Sequence, residues 1–262
     1  MIHPTAVVDP KAEIDPSVEI GPYAVIEAGV RIGPDCTIGP HVHILGRTRI
    51  GRNNRFATGC VIGEAPQDLK YKGEPTGLVI GDNNIFREHV TIHRSNTPEE
   101  ETVIGNDNFL MAHSHVAHNC RLGNGIIMAN GALLGGHVIV EDRAFISGNC
   151  LVHQFVRVGE LAIMQGGSAI SLDLPPFTIA RGDNSISGLN VVGLRRAGLS
   201  REERLELRRL YHLIFLRGLR LEEALELARK EAQSPWGHKL IHFLETSRRG
   251  FCRPRKRDLR EM

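Results

Sequence analysis

Histidine is the side chain whose ordinary pKa best suits proton transfer near neutrality. Five of the 13 histidines in this chain fall between positions 113 and 153. They stand in MAHSHVAHNC (111–120), LLGGHV (133–138) and LVHQF (151–155), as His113, His115, His118, His137 and His153. Gly136 follows His118 by 18 residues, and His137 follows Asn119 by the same interval. If that interval brings the backbone back over itself, an imidazole lies beside a glycine whose N–H is unobstructed. A general base next to an oxyanion donor is the result. Two other readings compete. The histidines could be solvated turn residues, which their crowding argues against. Three of them on successive turns could instead hold zinc, but no carboxylate in these segments pairs with them as an outer shell. Zinc would also leave the polar segment that follows residue 63 without a role.

The elements that would position these residues follow from a repeat. Steps of six from Ile2 reach Val8, Ile14, Ile20, Ile26, Ile32, Ile38, Ile44, Ile50, Phe56 and Ile62. The same frame returns at Ile80, Phe86 and Ile92, then runs from Ile104 through Leu110 and Val116 to Ile170. Neither a helical period nor simple alternation has this spacing. A short strand and a turn in each hexad does, and three hexads close a triangular coil of 18 residues whose layers stack at about 4.8 Å. Cys36, Cys60, Cys120 and Cys150 all stand four places after a hexad start, where Ala6, Ala12 and Ala24 also stand. That is a small inward position, so these cysteines read as core and not as nucleophiles or ligands.

Asp68, Glu74 and Pro98 break the frame and mark excursions near 64–79 and 94–102. In the first, GEAPQDLKYKGEPT, Asp68 and Lys70 flank Leu69 and can project together toward a sugar or phosphate. The second, SNTPEEET, reads as an acidic, solvated loop. The expected organisation is a parallel β-helix over 1–182 and a C-terminal helical domain over 183–262. Ser200 with Glu203 forms a capping box ahead of a helix closed by Gly218, LRLEEALELARKEA suggests a second helix, and HKLIHFLE a third.

A net charge of +2 does not favour nucleic acid as a partner. No apolar run reaches the ~18 residues of a membrane span, and MIHPTAVVDP lacks a signal pattern. The five cysteines are odd in number and lack zinc-like spacing. The expectation is a cytoplasmic protein with reduced thiols and no membrane insertion.

QDLKYKGEPT, VTIHR, SHVAHNC, GGHV, VHQF and DLPPF, in this order on a hexapeptide frame with a helical tail, resemble the UDP-N-acetylglucosamine acyltransferase family. The resemblance covers essentially the whole chain. It implies a left-handed β-helix, a homotrimer with sites between neighbouring chains, and no metal or dissociable cofactor. The implied reaction moves a (3R)-hydroxyacyl group from acyl carrier protein to the 3-position of UDP-N-acetylglucosamine, or to its 3-amino analogue, at the start of lipid A synthesis.

Particular residues inherit roles from this resemblance. His118 matches the general base and Gly136 the oxyanion donor. Asp68, Lys70, His93, His115, His137 and Gln154 match positions that hold the acceptor or line the cleft. Asn190 and Arg196 match the nucleotide-binding stretch, and Gly166 matches the position that sets acyl-chain length. Asn119 orients His118 where the family often has Asp. Ser95 replaces the Gly of TIHRG, and Val192 and Ala197 replace a Glu and an Arg of some members. The basic stretch SRRGFCRPRKRDLRE offers a contact for the acidic carrier protein, although a solvated tail is the plainer reading. The alternatives are another hexapeptide N-acyltransferase, a zinc enzyme like the γ-class carbonic anhydrases, and a non-catalytic β-helix scaffold.

Overall fold

The computed structural model describes residues 1–255. Within them the chain winds as a parallel β-helix with three faces of nine, eight and ten strands. Face one begins with Val7–Val8, face two with Glu13–Ile14 and face three with Glu19–Ile20. Most strands are two residues long, the first pointing out and the second, the hexad residue, pointing in. Val7 pairs with Val25 and Val25 with His43, which is the 18-residue coil expected from the repeat.

Further along face one, Val61 pairs with Thr91 and Thr91 with His115, at separations of 30 and 24 residues. The excursions therefore insert whole hexads, and the inward frame survives them. From Ile20 to Ile170 the hexad residues outside the two excursions are buried, whereas Ile2, on the open first coil, is 53% exposed. Each large buried side chain contributes roughly 1.5–3 kcal/mol, and here one is supplied every six residues.

All five cysteines are free and buried. Burial pushes the Cys60 and Cys120 thiols up to about 12, so they are inert core residues. The same inward position holds Asn54, Asn84 and Asn108, also buried. Their side-chain oxygens accept the backbone N–H of Asn84, Asn108 and Ile126 in turn, at 2.9, 2.9 and 2.7 Å. Buried amides are tolerated because each is satisfied by the next coil.

Both excursions end earlier than expected. Gly77–Ile80 and Glu101–Ile104 are four-residue strands, and Gly77 pairs with both Arg47 and Glu101. The lengthened strands share their extra ladder bonds with Arg47–Ile50, so the three extend together.

At the C-terminal end Thr178–Ala180 continues face three, and Ile186–Leu189 pairs antiparallel to it. Four helices follow: α1 (Val191–Arg196), α2 (Arg201–Phe215), α3 (Leu221–Glu231) and α4 (Pro235–Glu245). The capping box of Ser200 and Glu203 is formed at α2. The sequence pattern did not announce α1. Leu161 and Phe177 of the β-helix share a buried cluster with Leu207, Leu210, Leu240 and Leu244. Glu160 is paired with Arg143 and with Lys239 of α4, and Arg157 with Asp173. No described helix is long and apolar enough to cross a membrane.

The start of the basic C-terminal stretch is not the solvated tail that its composition suggests. Phe251 and Cys252 are buried, and Phe251 bridges to Asp173. An aromatic ring and a thiol between the arginines supply the apolar anchor that outweighs the flanking charge. Residues 256–262 lie outside the described residues.

Candidate active site

Both excursions leave the β-helix at the corner between faces one and two, on the two coils directly preceding His118. His118, Gly136, His137 and Gln154 occupy the same corner on successive coils. The stacking expected from sequence is present, since His137 N–H donates to His118 C=O at 2.9 Å and Phe155 N–H to Gly136 C=O at 2.9 Å.

The His118 ring is held from one side. Its Nδ1 lies 2.9 Å from Asn119 Oδ1. Because Oδ1 can only accept, the ring proton belongs on Nδ1 and the lone pair on Nε2. A methyl group added to Gly136 would lie 2.6 Å from Cε1 and 2.7 Å from Nε2 of this ring. Only glycine leaves room for the imidazole to rest against the backbone there. Among the described residues no group accepts the Gly136 N–H.

Asn119 is itself fixed from three directions. Its backbone N–H donates to Thr102 Oγ1 at 2.8 Å, and its Oδ1 also accepts the Asn96 N–H at 3.0 Å. Its Nδ2 donates to Glu100 Oε2 at 2.6 Å. Asn96 then reaches the first excursion, donating from Nδ2 to Asp68 Oδ2 at 2.8 Å. The backbone N–H of Lys70 and the Asn96 amide, in that order, hold the Asp68 carboxyl below its usual range. The Lys70 side chain is exposed.

Three further histidines surround this network. His137 meets the His118 ring edge-on at 5.2 Å, stacks on Phe155 at 4.6 Å, and has Nδ1 3.9 Å from Glu100 Oε2. His115 Nδ1 is 2.7 Å from Thr91 Oγ1, and its ring meets His93 edge-on at 5.0 Å. Burial is the first cause lowering the pKa of His93, His115 and His137, and it takes His93 to about 4. These rings are therefore neutral hydrogen-bonding groups at neutral pH. The buried His93 Nδ1 has no partner among the described residues.

A cleft of about 730 Å³ starts at His115, His118 and Gly136 and runs along face one past Leu133, Leu151 and Ala169 to Asn184. Leu133 and Leu151 are 40% and 50% exposed on its floor. Polar chemistry at one end and an outward apolar strip beyond it suit a substrate with a polar head and a hydrocarbon chain. Gln154 and His153 line one side. The His153 ring is within 3.1 Å of the Gln154 carbonyl and 3.4 Å of Arg249.

The remaining candidates lie elsewhere in the single chain. His113 and Gly166 sit at the corner between faces three and one, both exposed. Asn190 caps α1, accepting from Gly193 N–H at 2.8 Å and donating to Leu161 C=O at 2.8 Å. Arg196 is exposed in the last turn of α1. None of these four lines the cleft.

The reading of SNTPEEET as a merely solvated loop is overturned, because Asn96 and Glu100 enter the network around His118. The expected absence of a carboxylate beside the histidines falls with it. What sequence alone lacks is the sideways reach of an excursion, which does not obey the 18-residue spacing. Among the described residues no group of three or more His, Cys, Asp or Glu side chains is arranged to hold a metal ion.

Known proteins resemble the chain along nearly its whole length. A family described as Udp N-acetylglucosamine O-acyltransferase, domain 2, matches residues 173–252, and bacterial transferase hexapeptide repeats match 29–64 and 101–136. An acyl-[acyl-carrier-protein]–UDP-N-acetylglucosamine O-acyltransferase of Thermodesulfovibrio yellowstonii is 49% identical, with 96% of this chain and 99% of that protein covered. The enzyme of the same name from Halorhodospira halophila is 48% identical with the same coverage. Among solved structures, a UDP-N-acetylglucosamine acyltransferase from Francisella novicida superposes with a TM-score of 0.94 at 37% identity, covering 98% of this chain and 95% of that one. The one from Bacteroides fragilis gives 0.93 at 42% identity, covering 97% and 100%.

Proposed function

The chain belongs to the UDP-N-acetylglucosamine O-acyltransferase family, and from that premise we infer how its cleft works. The reaction of the family is acyl transfer from acyl carrier protein to UDP-N-acetylglucosamine, in lipid A biosynthesis. In our reading the acyl group is a (3R)-hydroxyacyl chain and the attacking atom is the oxygen on C3 of the sugar. His118 Nε2 takes the hydroxyl proton as that oxygen bonds to the thioester carbonyl carbon. The Gly136 N–H donates to the resulting tetrahedral oxyanion. Collapse breaks the C–S bond, and the imidazolium returns its proton to the departing phosphopantetheine sulfur. Every proton and electron pair is accounted for by substrate and side chains, so the scheme requires neither metal nor dissociable cofactor.

The observation that carries this reading is the geometry of His118: Nδ1 engaged by Asn119, Nε2 against Gly136, at the head of an apolar strip. Asp68, Lys70, His93, His115, His137 and Gln154 serve the acceptor, with the exposed Lys70 ammonium directed to phosphate. Leu133, Leu151 and Ala169 carry the acyl chain. Gly166, Asn190 and Arg196 lie away from this cleft in one chain, so their family roles require a neighbouring copy, and we assign a homotrimer. Both substrates are soluble and phosphate-bearing, which supports a cytoplasmic reaction.

The test is to incubate the protein with a mixed pool of acyl carrier protein thioesters and UDP-N-acetylglucosamine and to weigh the product. The expected product is the sugar nucleotide plus one hydroxyacyl group, attached by a bond that mild alkali cleaves. Release of free acid with no acylated sugar would overturn the assignment. An alkali-stable product formed only from the 3-amino sugar would move the acceptor atom from oxygen to nitrogen.

A further inference from the structure

The ring of His118 is oriented by a neutral amide, yet a carboxylate stands directly behind that amide. Glu100 Oε2 lies 2.6 Å from Asn119 Nδ2, and Asn119 Oδ1 lies 2.9 Å from His118 Nδ1. We propose that Glu100 is a positioning residue for proton transfer at His118, acting through the Asn119 amide. The inference rests on the reading of His118 as the base.

Two physical effects support the role. A carboxylate accepting from Nδ2 settles which end of the amide faces the ring. A reversed amide would donate to Nδ1 and place the ring proton on Nε2, where no base would remain. The anion also polarises the amide, making Oδ1 a stronger acceptor for the Nδ1–H and easing formation of the imidazolium. Glu100 thus supplies remotely the charge that Asn119 does not carry.

The loop holds Glu100 for this contact. Ser95 is fully buried, and its Oγ lies 2.6 Å from the Glu100 carbonyl and 3.3 Å from the Gly77 N–H. Thr102 holds the Asn119 backbone from behind. Asp68, another carboxylate at this corner, is engaged by the Lys70 N–H and Asn96. His93, His115 and His137 also stand around His118, and all three are neutral at neutral pH, while Glu64 and Arg94 act on His93 behind them.

The test moves the charge between the two positions. Glu100→Gln keeps the side-chain length and should lower kcat about tenfold, with KM and the thermal midpoint little changed. Asn119→Asp alone places two carboxylates in contact and should also lower kcat. The double variant Glu100→Gln/Asn119→Asp keeps one carboxylate, now directly on the ring, and should recover most of the lost kcat. An unchanged kcat in Glu100→Gln overturns the proposal. So does a loss that the double variant deepens, or one that tracks a fallen thermal midpoint, because either marks a structural role. His118→Ala separates the two levels of inference. Undiminished turnover in that variant removes the base assignment itself, whereas an inactive His118→Ala with a normal Glu100→Gln removes only the role of Glu100.

Discussion

Two corners of this β-helix carry histidines, and only one of them is built to use them. At the corner between faces three and one, His89 and His113 stack with ring centroids 5.2 Å apart and planes 13° from parallel, both exposed. At the corner between faces one and two, His118 and His137 are also 5.2 Å apart but nearly perpendicular, at 89°. The coil geometry of the two corners is alike, and His113 and His137 share a left-handed φ near 58°. The difference lies in what else reaches each corner. Both excursions emerge at the second one, bringing Asp68, Asn96 and Glu100, and the glycine at 136 lets His118 lie against the backbone. A regular repeat can stack imidazoles anywhere. In the proposed mechanism, making one of them a base takes an irregular segment to fix the amide that receives its ring proton, and a missing side chain to supply room.

The largest effect expected from this contrast is on turnover. His118→Ala should lower kcat/KM by ~10²–10⁴-fold, the usual cost of losing a general base. The paired change His89→Ala/His113→Ala removes as many rings from the other corner and should leave kcat/KM within about twofold. Steady-state kinetics with the acyl thioester checks both. A comparable loss at both corners would erase the distinction, and near-normal turnover in His118→Ala would dismiss the proposed mechanism.

The regular part of the molecule was legible in the sequence because a stacked coil turns position in the chain directly into position in space. That is why Gly136 could be set beside His118, and Cys36 and Cys120 assigned to the core. Stacking arithmetic failed where the chain leaves the coil. Glu100 belongs to a segment with no frame, so its approach to Asn119 had no signature beyond an acidic composition. The arithmetic also cannot say which corner a histidine occupies unless the six-residue offset within the coil is followed. His113 and His118 are five residues apart yet lie on different edges, with strand His115–Val116 between them. Helix α1 leaves no mark in the sequence pattern because it is only six residues long and presents one buried residue, Leu194. So short a segment has no apolar period to read.

A second consequence of the contrast is a pH dependence of stability. His93 lies at the corner of the proposed base, and burial lowers its folded pKa to about 4 from an ordinary 6.5. The unfolded chain therefore takes up a proton first as pH falls. The stability that this group contributes is complete above about 6.5 and is lost as pH drops through the folded value, by up to ~3 kcal/mol. His93→Gln cannot titrate, so its denaturant midpoint should fall less steeply than that of the parent between pH 7 and pH 4. Parallel curves for the two proteins would show that His93 is not held neutral by the fold.

The smallest expected effect probes whether the exposed corner is idle in the assembled protein as well as in the single chain. Gly166 sits on that corner, outside the cleft, and a methyl group there would make only an ordinary 3.5 Å contact with the Gly148 carbonyl. Its φ is not left-handed, so a larger residue should fold without strain within its own chain. If trimer assembly brings this corner against the apolar strip of a neighbour, Gly166→Met fills the end of the acyl groove. Each methylene excluded from burial costs the longer donor about 0.8 kcal/mol. The product profile from a mixed donor pool should then move to shorter chains while total turnover with short donors stays close to the parent value. Mass spectrometry reads the profile, and light scattering reads the assembly in the same preparation. A trimer with an unchanged profile would place the chain-length limit elsewhere on the strip. An active monomer would leave Gly166 out of reach of His118 and make the exposed corner idle in every state.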